Sequence, residues 1–408
     1  MLGVPILNAI SYTNRENALY HDSLGVLAGL SPWLYDRYQI FSHMMANRPG
    51  KLIEINAFKS HDVLFQDAIR NCEDVVLAEK GGIAILSCDA GRDNWNTVMG
   101  TFKSSPTLPN GAIHLLTYST DPPSLRPLTL LDFPNAQDFH PLGLSWDPIS
   151  STLYVVNHAH NASVLEIFSP VDLAAGTATH SRTLKHPLLH APNAILDLGA
   201  GRLIVSNDHS KWLMARRSKL LAQMETWSGI PGGSVVYIDT KDPRAEEKGK
   251  VLAWVPFANG VERLNKTTVV VGSSSMSGLY FYNITEEADG TVDLTPSGFV
   301  RTPVAVDNLS LEEKTGKLLV AGHPFAPALV DVAIRRGSCN SSDFDGEVSE
   351  KCKCNAPSWA AEWSEEGGLR VLYQGYAICG STTAVRDGER RIGVVTGLYD
   401  RGIMVFKQ

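Results

Sequence analysis

One pattern of apolar and polar positions recurs along the chain. A short segment opens on a polar residue, a glycine-containing turn follows, and a run of leucine and β-branched residues ends on a polar tip. The clearest copy is Val306-Asp307-Asn308-Leu309-Ser310, then Glu313-Lys314-Thr315-Gly316, then Lys317-Leu318-Leu319-Val320-Ala321-Gly322-His323. Such a phrase predicts a strand, a turn and a second strand. Copies begin near residues 73, 143, 193, 259, 307 and 381. Spacings of roughly 50 to 70 residues suit four-stranded propeller blades with variable loops, and radial closure leaves little sheet edge exposed. The pattern therefore predicts an all-β fold, a six-bladed β-propeller over 51–408.

Two stretches lack the phrase. Residues 1–50 carry no copy, and the aromatic spacing within Pro32-Trp33-Leu34-Tyr35-Asp36-Arg37-Tyr38-Gln39-Ile40-Phe41 is helical, which predicts an N-terminal arm packed on the propeller. About 210–230, from Trp212 through Leu220, Leu221, Met224 and Trp227, the spacing again turns helical, with Arg216, Arg217 and Lys219 interleaved. This insertion predicts an amphipathic helical lid. It caps one propeller face, shapes an apolar substrate pocket, or makes a peripheral contact with a lipid surface.

Composition narrows the classes. The chain has 408 residues, 44% apolar and 19% charged, so it can bury a large core. A net charge of -7 and the lack of a basic stripe argue against a nucleic-acid partner. No stretch is long enough to span a bilayer. The six cysteines are Cys72, Cys88, Cys339, Cys352, Cys354 and Cys379. Cys72 faces either Cys88 across a hairpin or Cys379 in the last blade, and Cys-Lys-Cys at 352–354 lacks a second pair at zinc spacing, so disulfides are expected. With sequons at Asn161, Asn265, Asn283 and Asn340, they predict a secretory route, although the apolar start lacks the charged flank of a signal peptide. Asn308 also opens a sequon but is expected inside.

In a propeller the residues that open successive copies converge at one mouth of the central channel. Here they include Glu73, Asn193, Asn259, Asp307 and Asn308, two carboxylates and three amides. Calcium takes roughly six to eight oxygen ligands, whereas zinc prefers nitrogen and sulfur, so an oxygen-only set predicts calcium.

Glu73-Asp74, Phe139-His140-Pro141-Leu142-Gly143-Leu144-Ser145, Val156-Asn157-His158, Pro192-Asn193, Asn207-Asp208-His209, Phe257-Ala258-Asn259-Gly260, Val306-Asp307-Asn308 and Gly322-His323-Pro324 together resemble the serum paraoxonase/arylesterase family. The match runs in one order over roughly 70 to 405. The resemblance implies a calcium-dependent six-bladed hydrolase of lactones, aryl esters and, in some members, phosphotriesters. It implies that Glu73, Asn193, Asn259, Asp307 and Asn308 hold the catalytic calcium, and that Asp74 and the backbone carbonyl of Leu144 belong to a second, structural ion. It further implies a histidine dyad whose second member is His158.

Three departures stand out. Ala194 replaces a carboxylate of the second calcium. No cysteine matches the family's inter-terminal disulfide, which leaves ring closure to strand pairing or to Cys72 with Cys379. The first dyad histidine falls on Leu142, with His140 two residues earlier on the same side of an extended segment and able to substitute. The expected function is calcium-dependent hydrolysis of esters or lactones, with His158 alone or with His140 as general base. Leu142, Trp146, His209 and His323 would line the substrate site. The competing class is a non-catalytic, calcium-stabilised propeller that binds a ligand or protein, which Leu142 favours.

Overall fold

A computed structural model describes residues 30–103, 108–288, 290–344 and 348–408. The chain divides into two compact units, Met1–His43 and Met44–Gln408. Residues 30–46 are helical; the first 29 residues of the expected arm lie outside the described residues.

The second unit is mostly β. Six inner strands recur in chain order, Arg70–Ala78, Pro141–Asp147, Pro192–Asp197, Ala258–Asn265, Ala305–Glu312 and Ser381–Asp387; the middle four each lead a sheet of their own, and the first and last belong to one eight-stranded sheet. Each inner strand hydrogen-bonds the next strand of its own sheet in antiparallel fashion. Each also packs beside the inner strand of the following sheet, and the last packs beside the first.

The second strands explain why the sequence shows unbroken apolar runs where simple sheets show alternation. Successive side chains of a strand point to opposite faces. Leu153 and Val155 enter the apolar layer shared with Ile85, Ile113 and Leu115 of the preceding sheet. Tyr154 and Val156 enter the layer shared with Leu203, Val205 and Val236 of the following one. The same division separates Leu319 and Ala321 from Leu318 and Val320. Both faces are buried, so every position is apolar, and each fully buried aliphatic side chain contributes about 1.5–3 kcal/mol.

Closure is made by strand pairing. Ile392–Arg401 of the last sheet pairs with Arg70–Ala78 of the first, placing Gly397 opposite Cys72. Cys72 is bonded to Cys88, directly across the hairpin, so the alternative link from Cys72 to Cys379 is not the one formed. Cys379 instead bonds Cys354, and Cys339 bonds Cys352. The last sheet is completed by Ser60–Leu64, which pairs with Ile403–Lys407. The sequence reading assigned that sheet only to the C-terminal segment, because a lone strand far from its partners carries no repeat signal.

In the insertion, the helix is shorter than expected, and its apolar side chains face outward. It spans only Lys219–Ser228 and is capped by the Ser218 side chain. Leu220, Leu221 and Met224 are exposed, whereas Ala222 and Glu225 are buried. Polar contacts anchor the inner side: Glu225 accepts from the Ser210 amide and hydroxyl at 2.9 and 2.8 Å, and Thr226 Oγ1 meets His209 Nε2 at 2.8 Å. No helix among the described residues is long and apolar enough to cross a membrane. Asn161, Asn265, Asn283 and Asn340 are exposed, and Asn308 is buried.

Candidate metal centre and its surroundings

Every inner strand slips register against its partner at the same place. The shifts fall between Cys72 and Asp74, Pro141 and Leu144, Pro192 and Ile195, Ala258 and Val261, Val306 and Leu309, and Ser381 and Ala384. A bulge bends a strand and re-aims its side chains. The residues inside these bulges are Glu73, Leu142-Gly143, Asn193-Ala194, Asn259-Gly260, Asp307-Asn308 and Thr382-Thr383. All five residues expected to hold calcium are among them. Neighbouring bulges also touch: a Cβ on Gly143 would lie 2.0 Å from the Asn193 carbonyl oxygen, and one on Gly260 would lie 2.7 Å from Asn308 Cα. Glycine is required there because backbone meets backbone.

Donors are spent around this ring and acceptors are left over. Asn308 donates its amide to Glu73 Oε1 at 2.8 Å and to Thr383 Oγ1 at 2.9 Å. Asn259 donates to Ser274 Oγ at 3.0 Å, and that hydroxyl donates to the Val306 carbonyl. His323 Nε2 meets Asp307 Oδ2 at 2.7 Å. Glu73 Oε2, Asn193 Oδ1, Asn259 Oδ1 and Asn308 Oδ1 are all buried without a partner. An orphaned buried polar atom costs about 1–3 kcal/mol, more when charged, so four together need an explanation. Burial, then the neighbouring charges of Asp74 and Asp307, push the Glu73 carboxyl well above the usual range. A hard cation satisfies both features, since it accepts oxygens alone and offsets two buried negative charges. The residues present fit calcium.

Asp74, one residue on, is different. Its Oδ2 accepts from the Leu144 amide at 2.7 Å, and its Oδ1 accepts from the Val75 amide at 2.8 Å and Thr383 Oγ1 at 2.9 Å. Burial raises it to about 6. Leu144 thus meets Asp74 through its N–H, and Ala194 donates its amide to Ser206 Oγ. Both Asp74 oxygens are thus supplied by protein donors.

The two candidate bases also differ. His158 is buried with both nitrogens engaged, Nε2 at 2.9 Å from the Pro192 carbonyl and Nδ1 near Thr97 Oγ1 and Ser163 Oγ at 2.7 and 2.9 Å. Burial, then Arg216 and Arg92, hold it well below the usual histidine range. The cavity beside it is lined by Thr97, Ser163, His190 and Asp208, not by the oxygen ring. His140 pairs Nδ1 with the buried Asp89 carboxylate at 3.0 Å and leaves Nε2 without a hydrogen-bond partner. Asp89 was not read from the sequence.

The arylesterase family model matches residues 97–341. The chain belongs to the arylesterase family. Over 229 residues it is 28% identical to serum paraoxonase/lactonase 3 of Oryctolagus cuniculus, covering 54% of this chain and 60% of that protein. It is 26% identical to serum paraoxonase/arylesterase 2 of Canis lupus familiaris, covering 55% and 60%. The chain thus spans about three fifths of the length of these relatives. Among solved structures, it resembles a putative gluconolactonase with a TM-score of 0.49 at 14% identity, covering 88% of this chain and 96% of that one.

The remaining expected residues of this arylesterase-family chain are scattered. Leu142 is buried in the apolar layer with Tyr154, Val156 and Ile195. Trp146 packs with Phe139, Leu144 and Leu153 in the layer on the other side. His209 anchors the 219–228 helix, and His323 alone of the four touches the oxygen ring. Thr383 was missed, although it ties Asn308, Asp74 and the Glu73 carbonyl together. Its signal was present: Thr382-Thr383 stands in the sixth copy where Asp307-Asn308 stands in the fifth.

Proposed function

We propose that this arylesterase-family chain is a six-bladed β-propeller hydrolase of carboxylic esters and lactones whose calcium is held by Glu73, Asn193, Asn259, Asp307 and Asn308. The observation that carries the reading is the ring of orphaned oxygens on four bulged strands. The cyclic packing of the inner strands supports the blade number. When bound, the ion supplies polarisation of the substrate carbonyl. Asn308 and Thr383 orient Glu73, and His323 fixes Asp307. Because the Pro192 carbonyl accepts from His158, that histidine positions Asn193. Of the two histidines, His140 keeps the free nitrogen needed to take a proton from water, with Asp89 stabilising the imidazolium. The exposed sequons and the three disulfides support a secretory route, and the exposed Leu220, Leu221 and Met224 support peripheral lipid contact through the lid.

A second reading is a non-catalytic, calcium-stabilised propeller. It is favoured by Leu142 lying in the core and by His158 having no free nitrogen. A panel of γ- and δ-lactones, phenyl acetate and an aryl phosphotriester separates the two, assayed with calcium and after chelation while circular dichroism follows the fold. Calcium-dependent turnover establishes the hydrolase. Tight calcium binding without turnover on any substrate selects the binding protein.

A further inference from the structure

Outside the oxygen ring, Asp138, His140 and His160 each place one ligand atom within 4.8 Å of the other two. We propose that they form a site for a borderline first-row divalent cation of the zinc type, distinct in donor chemistry from the calcium set. His140 is held for this. Its side chain is 2% exposed, Nδ1 is fixed on Asp89 at 3.0 Å, and Nε2 has no hydrogen-bond partner, with Asp138 Oδ1 3.9 Å away. A ligating histidine usually donates its other ring N–H to a carboxylate, which sets the tautomer and raises ligand basicity. Asp89 occupies that place.

The other two ligands are anchored but reachable from solvent. Asp138 and His160 side chains are 32% and 34% exposed. The His160 amide donates to both Asp138 oxygens, and the His160 ring stacks on Trp95 with centroids 4.0 Å apart. His160 Nδ1 stands 2.6 Å from Asp138 Oδ1, a contact that the cation would replace. Ligands about 2.0–2.1 Å from a tetrahedral zinc lie about 3.3 Å apart, so the His160–Asp138 separation opens and the His140–Asp138 separation closes, each by less than about 1 Å. Two imidazoles and one carboxylate with solvent access form a three-ligand set that keeps an open position. Arg216, bound to the Ala159 and His160 carbonyls, is a neighbouring cation that lowers the affinity and competes for no ligand atom of this trio. The cysteines are all in disulfides, so no thiol offers a rival site.

Metal on Nε2 would withdraw that nitrogen from proton transfer, but the inference stands on geometry and its test reads binding, not turnover. The intact, calcium-loaded chain is titrated with Zn²⁺ by calorimetry near neutral pH, and Co²⁺ is followed by its visible absorption. One Zn²⁺ per chain beyond calcium is expected. His160→Ala weakens it at least roughly 10-fold, His140→Gln abolishes it, and Asp89→Asn weakens it roughly 10- to 100-fold by loosening the hydrogen bond that orients His140. His160 is half-exposed, so its variant keeps the test sound if His140→Gln fails to fold. No saturable Zn²⁺ binding, or binding that His160→Ala leaves unchanged, overturns the proposal while leaving the calcium reading untouched.

Discussion

Glu73 and Asp74 are adjacent buried carboxylates, and the protein surrounds them in opposite ways. Glu73 receives one amide donor on Oε1 and keeps Oε2 bare, as the amide oxygens of Asn193, Asn259 and Asn308 are bare on the neighbouring bulges. Asp74 receives two backbone amides and a hydroxyl, one or more on each oxygen. The difference comes from the strand. The bulge removes Glu73 from the ladder, whereas Asp74 re-enters it opposite Ser87 and finds backbone donors at hand. A carboxylate supplied with donors is a structural hydrogen-bonding hub; one surrounded by acceptors needs a cation.

The largest effect expected breaks the bare side of this comparison. Asp307→Ala removes one of the two charges of the ring and should lower calcium-dependent hydrolysis roughly 100-fold or more, together with calcium binding, in a steady-state assay paired with calorimetry. A variant that stays fully active would remove calcium from the mechanism. Next, Thr383→Val strikes the hydroxyl shared by the Asp74 carboxylate, the Glu73 backbone carbonyl and the Asn308 amide. It should cost about 1–3 kcal/mol in denaturant unfolding, because Asp74 Oδ1 and the Asn308 amide each lose a partner.

Ala194→Asp sharpens the comparison from the saturated side. It restores a carboxylate beside Asp74, so calcium stoichiometry should rise from one ion to two, while the calcium-free variant should be less stable than the parent because the new charge is buried. Unchanged stoichiometry would mean that the donors on Asp74 are not displaced. The smallest effect is in pH. His158 is held neutral, well below its ordinary range, by burial and two nearby arginines. The unfolded chain takes up a proton near pH 6.5 that the folded chain refuses, so the folded state loses stability as pH falls below about 6.5. In His158→Gln that loss should be smaller, so the stability gap between parent and variant should narrow on acidification, read from unfolding midpoints between about pH 5 and 8.

What the sequence exposes and what it hides follow the same physics. Repeated phrases such as Leu318-Leu319-Val320-Ala321 are legible because both faces of a second strand are buried, and the polar openings at Asn193, Asn259 and Asp307-Asn308 stand out against them. The bulges themselves were not legible, since a register slip depends on the partner strand. Nor was the hydrogen-bond saturation of His158 and Asp74, which comes largely from Thr97, Leu144 and Thr383, far away in sequence. The helix at Lys219–Ser228 was legible only in part, because periodicity gives a face but not its direction. Leu220 and Met224 point outward because Glu225 and Thr226 have polar partners inside. Asp89 and His160 were hidden because their meaning lies in contact with His140 and Asp138, across two loops.

The most direct test of the central claim is a calcium titration of the intact, chelator-stripped chain by calorimetry, with ester and lactone hydrolysis followed on the same samples. One tight ion per chain, with turnover appearing in step with its binding and both lost in Asn308→Ala, is the predicted result. Full hydrolysis in the stripped protein, or no calcium bound by a folded chain, would contradict it.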